Sequence, residues 1–146
     1  MSDYADQTVA VLAVQGAFAE HEARLSELGA HCIELRQAAD LKQDFDRLVL
    51  PGGESTVQGK LLDELDMLAE LRDLIIEGMP VLGTCAGLIL LTFIRAPRIV
   101  EVHGDAKALA KVDGRIVAAR QGNQLGVTFH PELDDDTRLN ELFLQM

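Results

Sequence analysis

The segment that most constrains the chain is Pro80-Val81-Leu82-Gly83-Thr84-Cys85-Ala86-Gly87-Leu88-Ile89-Leu90-Leu91, a short apolar strand that passes through small residues directly into an apolar helix. Small neighbours on both sides of Cys85 permit the sharp strand-to-helix turn of a nucleophile elbow, the cysteine counterpart of Gly-x-Ser-x-Gly. A thiol in that turn faces unpaired backbone N–H groups and the positive end of a helix dipole, the setting in which cysteines act as nucleophiles. The competing reading is a buried small residue, because free cysteine is among the most buried residue types.

The rest of the chain supplies the sheet that such an elbow needs. Thr8 to Val14 is a nearly continuous apolar run, as expected of a parallel strand covered on both faces. Phe18, His21, Leu25 and Leu28 then recur at helical spacing, and Gly29 stops the helix. His21 falls on the apolar seam, where packing or a helix–loop hydrogen bond is the expected role. His31 to Arg36 reads as a second strand with Cys32 as inert core or edge, and Gln37 to Asp46 as a polar connector. The strand Arg47–Leu50 runs into Pro51-Gly52-Gly53-Glu54-Ser55-Thr56. A Gly-Gly pair at a strand end lets backbone N–H groups face a ligand, the arrangement of an oxyanion hole. Ser55 with Gln58 also matches a capping box, which makes the same loop a helix start.

Leu61, Leu65, Leu68, Leu71 and Ile75 predict a helical stripe over Val57 to Glu77 with a break near Asp66. Phe93 to Pro97 and Arg98 to Val102 read as extended pieces. Ala108–Val112, Arg115–Gln121 and Leu125–Phe129, separated by Asp113-Gly114 and Gly122-Asn123, predict a three-strand antiparallel meander. Leu139, Leu142, Phe143 and Met146 define a C-terminal helix with a cap at Asp134, Asp135 or Asp136. The expected fold is therefore a single α/β domain over residues 1–146, with a mostly parallel sheet flanked by helices and a C-terminal antiparallel meander. Ligands bind beyond the carboxyl ends of such strands, where Gln15-Gly16, Gly52-Gly53 and Cys85 all fall.

Composition excludes several functions. A net charge of −11 repels phosphate backbones and anionic bilayers. Only 4% of residues are aromatic, too few for a base-stacking platform, so neither a nucleic acid nor a membrane is an expected partner. Two cysteines without a CxxC pair or clustered histidines argue against a disulfide framework and a structural metal site, and for a reducing cytoplasm. The polar, acidic Met1 to Gln7 has no signal-peptide pattern.

A nucleophilic Cys85 needs a base and an orienting group. His130-Pro131-Glu132 offers both: residues two apart in an extended chain point to one side, so Glu132 can bond one ring nitrogen while the other faces the thiol. A lone His-x-Glu is ordinarily a solvated loop, a reading outweighed here by the elbow and the Gly-Gly loop.

Val14-Gln15-Gly16, Leu50-Pro51-Gly52-Gly53-Glu54-Ser55-Thr56, Gly83-Thr84-Cys85-Ala86-Gly87-Leu88, Phe93-Ile94-Arg95-Ala96-Pro97, Gly114-Arg115-Ile116-Val117-Ala118-Ala119 and Phe129-His130-Pro131-Glu132-Leu133 stand in the order of one family. The chain closely resembles the glutaminase subunits of pyridoxal 5'-phosphate synthase, class I glutamine amidotransferases with a flavodoxin-like three-layer fold. The resemblance implies hydrolysis of L-glutamine to glutamate and ammonia by a Cys85, His130 and Glu132 triad through a thioester. It further implies an oxyanion hole from the N–H groups of Gly53 and Ala86, and glutamine binding by Gly53, Glu54, Ser55, Ile94 and Arg95. It requires no cofactor or metal, and it implies delivery of ammonia to a TIM-barrel synthase subunit.

One departure stands out: members carry some tens of residues, including a glutamine-contacting arginine, where Leu91-Thr92 here runs directly into Phe93-Ile94. The alternative function is accordingly a catalytically impaired binding or regulatory subunit that keeps the triad but lacks part of the pocket. A weaker alternative is another elbow-cysteine hydrolase acting on other amides or peptides.

Overall fold

In the computed structural model the described residues are 4–85, 87, 90–91 and 107–146. The strands are β1 (Thr8–Leu12), β2 (His31–Leu35), β3 (Arg47–Leu50), β4 (Val81–Thr84), β5 (Lys107–Val112), β6 (Arg115–Gln121) and β7 (Gln124–Val127). The helices are α1 (Phe18–Glu27), α2 (Ser55–Glu64), α3 (Leu68–Ile76) and a C-terminal helix (Arg138–Gln145). Gly87, Leu90 and Leu91 are also helical, in the segment launched by Cys85. Among the described residues the strands form one sheet in the order β2-β1-β3-β4-β7-β6-β5. Pairing is parallel from β2 through β4 to β7, and antiparallel between β7, β6 and β5.

Alternation along the strands builds two cores. Ala10, Leu12, Leu48, Leu50 and Val81 face one side, packed with Leu62, Met67, Leu71, Ile75, Leu90 and Leu91. Val9, Val11, Val49, Leu82 and Leu125 face the other, against Leu25, Phe143 and Leu144. The sheet is covered on both faces, giving three layers, and this is why β1, β3 and β4 are apolar along most of their length. Each buried leucine contributes roughly 1.5–3 kcal/mol.

The predicted stripe over Val57 to Glu77 is two helices, α2 and α3. The break lies at Asp66, which adopts φ 57°. It resets the helical phase, so Leu62 and Met67 are fully buried while Leu61 and Leu65 are only half-buried. The meander forms as expected, but β7 stops at Val127 and Phe129 is exposed. The C-terminal helix has Thr137 at its N-cap rather than an aspartate. Asp136 nonetheless accepts the Arg138 N–H at 3.1 Å and pairs with its guanidinium, which holds the Asp136 carboxyl at about 2. The expected extended pieces over Phe93 to Val102 lie outside the described residues.

Strand order reverses between β1's neighbours: β2 flanks it on one side and β3 on the other. Such a switch point opens a crevice at the carboxyl ends of the strands. Register brings Leu50 level with Gly83, and Gly83 level with Gly126. The residues after β3, β4 and β7 therefore emerge side by side.

Candidate active site

Cys85 leaves β4 with φ 50°, a left-handed conformation that costs a non-glycine residue roughly 1–2 kcal/mol. Its N–H donates to the Val127 carbonyl at 2.8 Å, which anchors the turn to β7. Two residues on, a Cβ at Gly87 would overlap the Leu50 carbonyl oxygen and stand 2.7 Å from the Leu50 carbonyl carbon and 2.9 Å from the Pro51 oxygen. The glycine at position 87 is thus required by the close approach of the outgoing helix to the end of β3.

Gly52 joins the two halves of the site. A Cβ there would lie 3.0 Å from His130 Cε1, 3.4 Å from His130 Nδ1 and 3.5 Å from Cys85 Cβ. The imidazole and the elbow therefore border the same small space above the sheet. His130 Nδ1 lies 2.8 Å from Glu132 Oε1. The imidazole is 43% exposed and the carboxylate side chain fully buried, so the pair spans from solvent to interior. The two residues meet as expected, but not through an extended chain: Pro131–Leu133 form a 3-10 turn that folds the carboxylate back onto the ring. With Nδ1 held by Glu132, Nε2 is left for proton transfer.

The Gly52-Gly53 loop is tied to the loop after β1. Ala17 N–H donates to the Gly52 carbonyl at 3.0 Å, and Glu54 N–H donates to Gln15 Oε1 at 2.8 Å. Gly16, at φ 100°, packs so closely that a Cβ would overlap the Gly52 oxygen. Beneath them Gln58 is fully buried, and its Nε2 donates to the carbonyls of both Gln15 and Pro51 at 3.1 Å. The Ser55–Gln58 capping box does not form. Glu54 is the N-cap, accepting the Thr56 N–H at 3.1 Å, and the Gln58 side chain is drawn inward because two buried carbonyls need a donor.

Of the other predicted site residues, Gly53 and Glu54 are exposed and Ser55 is half-buried at the start of α2. Ala86, Ile94 and Arg95 lie outside the described residues. Cys32 sits in the edge strand β2, half-buried, with burial pushing its thiol up, as befits an inert cysteine. The buried neighbours of the site were not legible as such. His21, fully buried, places Nε2 3.1 Å from Thr84 Oγ1 and 3.4 Å from Glu132 Oε2. Its only sequence signal was a polar residue on an apolar helix face, and Gln58, one turn before buried Leu62, gave the same signal. Among the described residues no helix is long and apolar enough to cross a membrane.

A thiol at an elbow, an imidazole beside it and a buried carboxylate on that imidazole can perform acyl transfer with nucleophilic and acid–base catalysis. A model of the SNO glutamine amidotransferase family matches residues 11–92 and 91–146. The pyridoxal 5'-phosphate synthase subunit PdxT of Desulfitobacterium hafniense is 46% identical over 181 aligned residues, covering 93% of this chain and 91% of the relative. That of Methanocorpusculum labreanum is 43% identical, covering 94% and 96%. A crystal structure of a glutamine amidotransferase superposes with a TM-score of 0.82 at 30% identity, covering 94% of this chain and 97% of the other.

Proposed function

The chain belongs to the SNO glutamine amidotransferase family, and on that premise we propose that it is the glutaminase subunit of a pyridoxal 5'-phosphate synthase. The observation that carries the reading is the grouping of Cys85, at its left-handed elbow, with His130 around Gly52, and the 2.8 Å contact from His130 to Glu132. The identities to PdxT subunits support the substrate and pathway.

The Cys85 sulfur attacks the side-chain amide carbon of L-glutamine, and its proton passes to His130. The tetrahedral oxyanion is held by the N–H groups of Gly53 and Ala86, each worth roughly 3 kcal/mol. His130 returns the proton to the departing nitrogen, so ammonia leaves and a glutamyl thioester remains. His130 then takes a proton from water as it attacks the thioester, releasing glutamate and the thiol. Glu132 orients the ring throughout. Gly53, Glu54, Ser55, Ile94 and Arg95 bind glutamine, with Arg95 as partner to its carboxylate. Ammonia passes to a TIM-barrel synthase subunit in the cytoplasm.

We also propose that this single domain lacks an internal segment between Thr92 and Phe93 that its relatives carry. The family match divides into two stretches meeting at residues 91–92, and the alignment to the Desulfitobacterium relative is longer than these 146 residues. An intact mass of 15.9 kDa for the expressed protein supports the deletion, and a larger one defeats it.

The activity is tested by glutamate release from glutamine, with and without the synthase subunit, for wild type and Cys85→Ala. Release that depends on Cys85 is expected, and equal release by both proteins overturns the reading. Covalent capture of Cys85 by a glutamine-like electrophile separates it from a subunit that only binds.

A further inference from the structure

Glu132 has two oxygens, and the triad uses only one. Oε1 faces His130, while Oε2 is buried without a well-formed hydrogen bond. His21 Nε2 stands 3.4 Å from Oε2, and the same nitrogen lies 3.1 Å from the Oγ1 of Thr84, the residue before the nucleophile. Both side chains of this pair are fully buried. One turn further along α1, Arg24 Nε donates to the Glu132 backbone carbonyl at 3.2 Å, and its Nη2 pairs with Asp135 at 3.1 Å. Helix α1 therefore grips Glu132 at both its carboxylate and its main chain.

We propose that His21 is a positioning residue of the triad: its Nε2–H, bonded to Thr84 Oγ1 and 3.4 Å from Glu132 Oε2, holds the carboxylate electrostatically so that Oε1 faces His130, and ties it to the elbow of Cys85. This rests on the glutaminase reading above. The tautomer follows from the partners. A carboxylate oxygen only accepts, whereas His21 Nδ1 is buried and unpartnered, so a proton there would be an orphan donor. Burial also disfavours the doubly protonated ring, against the pull of Glu132. A buried carboxylate held at one oxygen only could rotate about its last torsion; an N–H dipole 3.4 Å from the second oxygen opposes that rotation.

His21→Phe keeps the ring and removes the donor, and His21→Gln places an amide N–H near the position of Nε2. In the full chain with its synthase partner, His21→Phe is expected to lower the kcat of glutamine hydrolysis about tenfold, with KM within about twofold. His21→Gln recovers most of the loss. Equal losses in the two variants, or a loss confined to KM, overturn the proposal. A readout without turnover is the 15N spectrum of the His21 ring in the folded wild type and in Glu132→Gln. A proton on Nε2 whose shift moves in Glu132→Gln is expected; a proton on Nδ1, or an unmoved signal, overturns the proposal. Absence of turnover in wild type with the expected ring signals sinks the glutaminase reading and leaves the positioning contact standing.

Discussion

Gly87→Ala sets two effects of opposite sign against each other. Within a helix, alanine is favoured over glycine by about 1 kcal/mol. Against that, the new methyl would overlap the Leu50 oxygen and lie within 2.9 Å of two further main-chain atoms, the Leu50 carbon and the Pro51 oxygen. No side-chain rotation relieves a clash with backbone, so either the elbow helix lifts from the sheet or the end of β3 is displaced. Overpacking costs about 1–3 kcal/mol, and a clash with two carbonyls belongs at the upper end, leaving a net loss of about 2 kcal/mol. For a domain of this size that lowers Tm by about 7 °C. Gly114→Ala is the control: at φ 76° with nothing within 4 Å of its Cβ, it carries only the conformational cost of about 1–2 kcal/mol. Thermal unfolding of the three proteins decides the matter. A Gly87→Ala melting point at or above that of wild type refutes the packing account of the elbow.

Stability should also report on His21. Burial pushes its imidazole below the ordinary 6.5, opposed by Glu132 and Glu20 and aided by His130, so the unfolded chain takes up the proton first as pH falls. The contribution of the neutral ring is therefore intact above 6.5 and is lost as pH drops below it, with a slope of at most about 1.4 kcal/mol per pH unit. Urea midpoints at pH 7.5 and 5.5 should fall further apart for wild type than for His21→Gln; parallel behaviour would contradict the burial argument. Gln58→Leu strips the donors from the Gln15 and Pro51 carbonyls but also removes the orphaned Gln58 Oε1. The net cost expected in urea is about 1–2 kcal/mol, and a variant as stable as wild type would mean that the orphaned oxygen outweighs both bonds.

The layered sheet is written in local composition, because strands buried on both faces are apolar along most of their length: Thr8–Val14, Leu48–Leu50 and Val81–Leu82 admit little else. The same local pattern carries the elbow, since a glycine is needed at 87 where the helix meets the end of β3, and it sets His130 two residues from Glu132, a separation short enough to survive the change from an extended chain to a 3-10 turn. The contacts made across long separations come from the three-dimensional arrangement alone. His21 meets Thr84 across 63 positions, Gln58 reaches Gln15 across 43, and Arg24 reaches the Glu132 carbonyl across 108. A polar side chain on an apolar helix face announces that it must find a partner, because burial without one is costly. Which partner it finds depends on the strand order and register that bring the ends of β1, β3, β4 and β7 together, and no local pattern around His21 or Gln58 encodes that.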